Sequence, residues 1–134
     1  MSLSQYIGIP YKDHGRSRNG LDCWGLLWLI YQEIFDIDLP KLTGMYLSAE
    51  EHDDISQIIQ KEIDARKPWI EVEAPDFGDA IVFAFIGNPW HIGMITSPGM
   101  MIHVMKGIDV CLERFKSPMW KNRLVGIYRH EDLA

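Results

Sequence analysis

Residues 20–32 read GLDCWGLLWLIYQ, an acid and a cysteine followed by an almost unbroken apolar run. Asp22 is a good helix N-cap, and after Gly25 neither glycine nor proline interrupts the chain until beyond Phe35. Leu26, Leu27, Leu29 and Ile30 leave no polar face before Gln32 and Glu33, so the segment predicts a central, buried helix. Such a helix needs cover, which the rest of the chain has to supply. A second helix is expected from Ser48 to about Arg66. Ser48 and Glu51 form a capping box, and Ile55, Ile58, Ile59 and Ile63 make one apolar stripe. The acids Glu50, Glu51, Asp53 and Asp54 fall where the helix dipole favours negative charge, which marks a solvated helix start and no catalytic cluster.

From Trp69 onward the pattern changes to short strands. They are expected near 69–73, 80–86, 91–97, 100–105, 108–114 and 123–130, separated by Pro-Asp-Phe-Gly-Asp, Gly-Asn-Pro, Ser-Pro-Gly and Lys-Gly. Helices first and consecutive strands afterwards predict an α+β fold, with the central helix packed on a mainly antiparallel sheet of five to six strands. The chain of 134 residues reads as a single domain, 1–134, long enough to bury a core without staples.

Charge and cysteine usage exclude several function classes. A net charge of −6, with only Lys116, Lys121 and Arg123 loosely grouped, argues against nucleic acid as a partner. No apolar stretch is long enough for a membrane span, and the opening MSLSQYIGIPY carries no secretory leader. The expectation is therefore a chain that is cytoplasmic as synthesised. Cys23 and Cys111 lie far apart, no C-x-x-C or H-E-x-x-H pattern occurs, and neither a metal nor another cofactor is expected.

Cys23 at a helix N-terminus feels the positive end of the dipole, which lowers a thiol pKa. By position it reads either as a small buried hydrophobe or as a nucleophile awaiting a histidine from elsewhere in the fold. Cys111, alternating within Val110-Cys111-Leu112, reads as buried. His52 and His130 are expected at the surface. His91 and His103, in WHIGMI and MMIHVM, flank one hairpin. L-proline cannot open a primed two-residue turn, so a three-residue Ser97-Pro98-Gly99 loop, with Gly99 left-handed, is expected. Residues then pair when their numbers sum to 196, His103 lies opposite Gly93, and both imidazoles share one face roughly 7 Å apart at Cα. A two-residue loop would put them on opposite faces.

The blocks IPYKDHGRSRNGLDCWGLL, FGDAIVF, HIGMI and MIHV, in this order over about residues 3 to 128, resemble the NlpC family of papain-like, cell-wall-directed cysteine peptidases. The resemblance implies Cys23 as nucleophile, His91 as base and His103 as the polar group that orients His91. It implies an oxyanion site built from the Tyr11 hydroxyl and the Cys23 backbone N–H. Asp22 becomes both the helix cap and a contact for a substrate amine, and Trp24, where many members carry serine, a wall of the substrate pocket. Asp79 matches a common family position, which a turn-forming Gly-Asp explains equally well, and the basic segment 12–19 offers a site for a carboxylate. Trp90 is placed either along the cleft or as an anchor of its strand.

The implied activity is hydrolysis of peptidoglycan stem peptides or muropeptides through a Cys23 thioester, at the bond joining γ-D-glutamate to diaminopimelate or lysine. The DCWGL signature points toward the phage and prophage tail-assembly branch, with a virion-associated location and tail proteins as partners. The alternatives are a peptidase that recycles wall peptides in the cytoplasm, a protein-processing or non-catalytic tail component, and an acyltransferase using the same thioester.

Overall fold

The structure, a computed structural model, describes residues 3–42, 61–63, 68–85 and 90–133. The central helix α1, Cys23–Ile30, begins where the sequence placed it, with the Asp22 side chain accepting a hydrogen bond from the Gly25 N–H at 2.7 Å. Every residue from Trp24 to Ile30 is buried. The helical path continues to Phe35 as a wider π-helical turn over Tyr31–Phe35, and Asp36, in the left-handed conformation, ends it. Before α1, a small hairpin of β1, Arg16–Ser17, and β2, Gly20–Leu21, presses onto the helix start. The approach is so close that a Cβ on Gly25 would lie 2.1 Å from the Gly15 carbonyl oxygen. Most of the helix expected over 48–66 lies outside the described residues. Residues 61–63 are helical, with Ile63 buried in the main core.

Among the described residues six further strands form one sheet: β3 Trp69–Glu71, β4 Ala80–Ala84, β5 Trp90–Ser97, β6 Met100–Met105, β7 Ile108–Arg114 and β8 Leu124–His130. The order across the sheet is β3-β8-β4-β5-β6-β7, and every neighbouring pair is antiparallel. The α+β architecture and the strand positions match expectation. The sequence did not indicate that β8 enters the sheet between β3 and β4.

Strand alternation divides the core in two. Ala80, Val82, Ile92, Met94, Ile102, Val104 and Val110 face α1, whereas Ile81, Phe83, Ile95, Met101 and Ile127 face the other way. There they meet Phe115 and Trp120, the latter fully buried on the short helix α2, Pro118–Lys121. The turn at Pro98-Gly99 is tighter than expected. Ser97 pairs directly with Met100 and Gly99 is left-handed at φ 79°, but a register shift between Ile95 and Ser97 restores pairs summing to 196, such as Met94 with Ile102. The parity that puts His91 and His103 on one face therefore holds, because the bulge supplies the extra residue.

One sequence expectation changes here, and of the two readings of Asp79 the turn is the one the structure bears out. His130 is buried, not exposed, edge-on to Trp69 at 5.1 Å between ring centroids. Asp79 is a structural ion pair: both its oxygens accept from Arg129 at 2.9 Å, and it caps the turn through the Asp76 N–H.

Candidate active site

The site lies where the start of α1 meets β5 and β6. Ile95 exchanges backbone hydrogen bonds with Asp79 and Gly78 beside β4. By alternation, the amide of Ile92 must point away from β4, toward β6. On the His91 side the β5–β6 pairing ends at Met94–Ile102. The half-buried Cys23 thiol fills the place so left, accepting from the backbone N–H groups of Ile92 and Trp24. Cys23 is thus brought next to the residue that follows His91, although no Cys23–His91 hydrogen bond is present among the described residues.

The two histidines meet as the hairpin parity requires. His91 Nε2 lies 3.0 Å from His103 Nδ1, and both residues are buried. Gly93 makes room: a side chain there would begin 3.2 Å from the His103 Cβ. Trp120 closes the pair from the far side, stacked on His91 at 5.6 Å and edge-on to His103 at 5.1 Å.

The chain of hydrogen bonds continues to a residue that sequence reasoning missed. Glu113 Oε1 lies 2.9 Å from His103 Nε2, while its Oε2 accepts from the Trp120 indole N–H at 2.9 Å. These contacts fix the proton positions. An ionised carboxylate only accepts, so His103 carries its proton on Nε2 and accepts at Nδ1. His91 must then donate from Nε2, which leaves its Nδ1 lone pair as the basic site. Reading β7 from a two-residue Lys106-Gly107 turn gives the observed pair Met105–Ile108 and would place Val110 opposite His103. A register shift between His103 and Met105 puts Cys111 there instead, with Glu113 next on the same face. For the same reason Cys111, expected to be an inert strand residue, turns its sulfur toward this cluster, 3.8 Å from His103 Nε2.

The electrostatics differ from the sequence expectation at the thiol. Burial, helped by the Asp22 charge, pushes Cys23 up to about 12, against the pull of the Ile92 and Trp24 amides and Arg16. The net push is upward, opposite to the direction expected from the helix N-terminus. Burial, then the neighbouring His103, lowers His91 to about 3. Burial also lowers His103 against the opposing Glu113, and lowers His130. Burial opposes ionisation of Glu113, but hydrogen bonds from Trp120 and His103 outweigh it and hold the carboxyl below its ordinary value.

The histidine and Glu113 shifts act on stability with one sign. Unfolded histidines take up protons near pH 6.5, whereas folded His91 does so only near 3. Between those values the unfolded state binds more protons, and stability falls as pH falls. The depressed Glu113 adds to the loss below its ordinary 4.5. The thermal midpoint is expected to drop steadily from pH 7 to pH 4, and replacing His91 with phenylalanine should flatten that slope. A midpoint that rises on acidification contradicts the assignment of neutral buried histidines.

The remaining candidates separate. The Tyr11 hydroxyl donates to Asp13 at 2.7 Å, and its own ionisation is shifted upward by burial, Asp13 and the nearby Cys23. Asp22 caps α1 as expected, but its carboxylate is fully buried and also accepts from Arg16 at 2.7 Å and the His14 N–H at 3.2 Å. Trp24, expected on a pocket wall, is instead fully buried. Its indole donates to the Pro40 carbonyl and its ring meets Trp69 edge-on. From the second position of an all-round buried helix, so large a side chain is drawn into the core. The basic segment 12–19 spends two of its charges internally, Arg16 on Asp22 and Arg18 on Glu33. The side chain of Trp90 and all of His52 lie outside the described residues.

The chain as a whole is similar to known proteins. Over 133 residues the chain is 26% identical to the Gamma-DL-glutamyl hydrolase of Bacillus subtilis (strain 168), covering 97% of this chain and 28% of that protein. It is 23% identical to the Murein DD-endopeptidase MepS/Murein LD-carboxypeptidase of Escherichia coli (strain K12), covering 90% of this chain and 57% of that one. The chain thus spans between about a quarter and three-fifths of these relatives' lengths. Among solved structures, an NLP/P60 family protein of Staphylococcus aureus superposes with a TM-score of 0.65 at 24% identity, over 94% of this chain and 38% of that one. The NlpC/p60 domain of the peptidoglycan hydrolase SagA gives 0.57 at 21% identity, over 84% and 83%. The NlpC/P60 family itself matches residues 8–129, a stretch that holds the cysteine helix, both histidine strands and Glu113. This chain belongs to the NlpC/P60 family.

Proposed function

We propose that the protein is a cysteine peptidase that hydrolyses an amide bond in peptidoglycan stem peptides. The observation that carries this reading is the chain Glu113–His103–His91, which ends in a basic Nδ1 beside the helix start that bears Cys23. In the reaction the Cys23 thiol gives its proton to His91 Nδ1 as sulfur attacks the carbonyl, so the ion pair forms during attack and not before it. His91 returns the proton to the departing amine. It then takes one from water, and the hydroxide opens the thioester to release the acid and restore the thiol. His103 and Glu113 stabilise the transient imidazolium by holding its Nε2–H. The Cys23 backbone N–H, in the first turn of α1 and without an intrahelical acceptor, faces the developing oxyanion. Tyr11 adds its hydroxyl when it turns from Asp13.

The stem peptide is the substrate class that the named relatives support, one acting on γ-glutamyl bonds and one on murein. The γ-D-glutamyl–diaminopimelate bond is the cleavage proposed. Digestion of L-Ala-γ-D-Glu-diaminopimelate, with and without a terminal D-Ala, tests it by mass spectrometry. Release of L-Ala-D-Glu is the expected result. Cleavage only at D-Ala would reassign the bond, and intact peptides after prolonged incubation would overturn the reading.

A further inference from the structure

Cys111 takes no part in the chemistry above, yet it stands with His103 and Glu113 as three different metal-binding donors drawn together. His103 Nε2 and Glu113 Oε1 are 2.9 Å apart, and the Cys111 sulfur lies 3.8 Å from each. Tetrahedral zinc, with bonds of about 2.0–2.3 Å, separates such donors by about 3.3–3.6 Å. Each separation is therefore within about half an ångström of the zinc-bound value.

The surroundings suit an ion as well. Among the described residues β7 is an edge strand, Cys111 is half-buried, and the Glu113 side chain is 32% exposed, so water can reach the cluster and fill a fourth position. The Trp120 indole N–H holds Oε2 and leaves Oε1 to the metal, the kind of outer contact that orients a ligating carboxylate. One thiolate and one carboxylate would neutralise the charge of a divalent zinc ion.

We propose that His103, Cys111 and Glu113 form a zinc site, and that its occupancy switches off the base at His91. Binding releases one proton, from the Cys111 thiol. Zinc on His103 Nε2 displaces the proton of that nitrogen, and the neutral imidazole then carries it on Nδ1. That N–H donates to His91 Nε2, so His91 moves its own proton to Nδ1 and loses its basic lone pair there. No bond breaks other than S–H and N–H, and the net change is one zinc gained and one proton lost. The switch, though not the site, rests on the reading of His91 as base.

Cobalt(II) titration of the intact protein tests the site without any turnover. One equivalent is expected to give a thiolate-to-cobalt charge-transfer band, retained in Cys23→Ala and absent from Cys111→Ala and Cys111→Ser. A band that survives in Cys111→Ala but vanishes in Cys23→Ala would place the metal on the other cysteine and overturn the proposal. So would the lack of a saturating band at millimolar cobalt. In the hydrolysis assay, zinc should inhibit the native chain reversibly, with chelator restoring the rate. Cys111→Ala should keep native activity and need at least tenfold more zinc for the same inhibition. Equal sensitivity of the two would overturn the switch.

Discussion

Cys23→Ala is expected to reduce hydrolysis of the stem peptide by about a million-fold, the scale on which loss of a nucleophile returns an enzyme to its residual binding and electrostatic assistance. The folded state should barely notice. The sulfur is half-buried and contributes two weak hydrogen bonds from backbone amides, while α1 is held by seven buried residues and the Asp22 cap. A stability change within about 1 kcal/mol follows, since no large apolar volume is removed. Rates with the defined muropeptide and a denaturant titration of both chains make the comparison. Residual activity above one-thousandth of native would mean that sulfur is not the attacking atom.

The second large effect concerns the order of losses along the hydrogen-bonded chain. His91→Ala removes the base itself and should cost nearly as much as loss of Cys23, because nucleophile and base act as a unit. His103→Ala leaves the base in place but frees its tautomer, and about a thousand- to ten-thousand-fold is expected. Glu113→Gln should cost about 10- to 100-fold, as for other supporting contacts. An amide cannot accept from both His103 and the Trp120 indole. Either its NH₂ faces His103 and reverses that tautomer, or it confronts the indole N–H and loosens the wall behind His91. All three variants keep the sheet's backbone pairing, so kcat should carry the losses more than KM. If His103→Ala proved worse than His91→Ala, the two roles would have to be exchanged.

What the sequence made legible was local. The helix from Asp22, the six later strands and the shared face of His91 and His103 each follow from periodicity, a cap or one turn. The hidden parts depend on events no local pattern records. Glu113 reaches the site through a register shift near Val104, which reverses the face that a simple turn would assign. Trp24 and His130 were misplaced because a residue type expected in a cleft or at the surface says little about which partner buries it. The thiol was misjudged because a helix dipole can be read from position, whereas the competing cost of burial needs three dimensions.

The place of β8 has a bearing on how the molecule comes into being. A ribosome delivers β4 through β7 as a meander whose neighbours are adjacent in the chain, so that half of the sheet can zip up as it emerges. The partner of β4 on its other side is β8, and β3 pairs with β8 as well. Until residues 124–130 leave the exit tunnel, β4 presents an open, apolar edge and β3 has no strand to join. The nascent chain therefore carries its main hazard of misassociation until translation has passed residue 130. The polar chain behind His91 assembles on the earlier side of that divide, around β5, β6 and β7, before the last strand locks the other half in place.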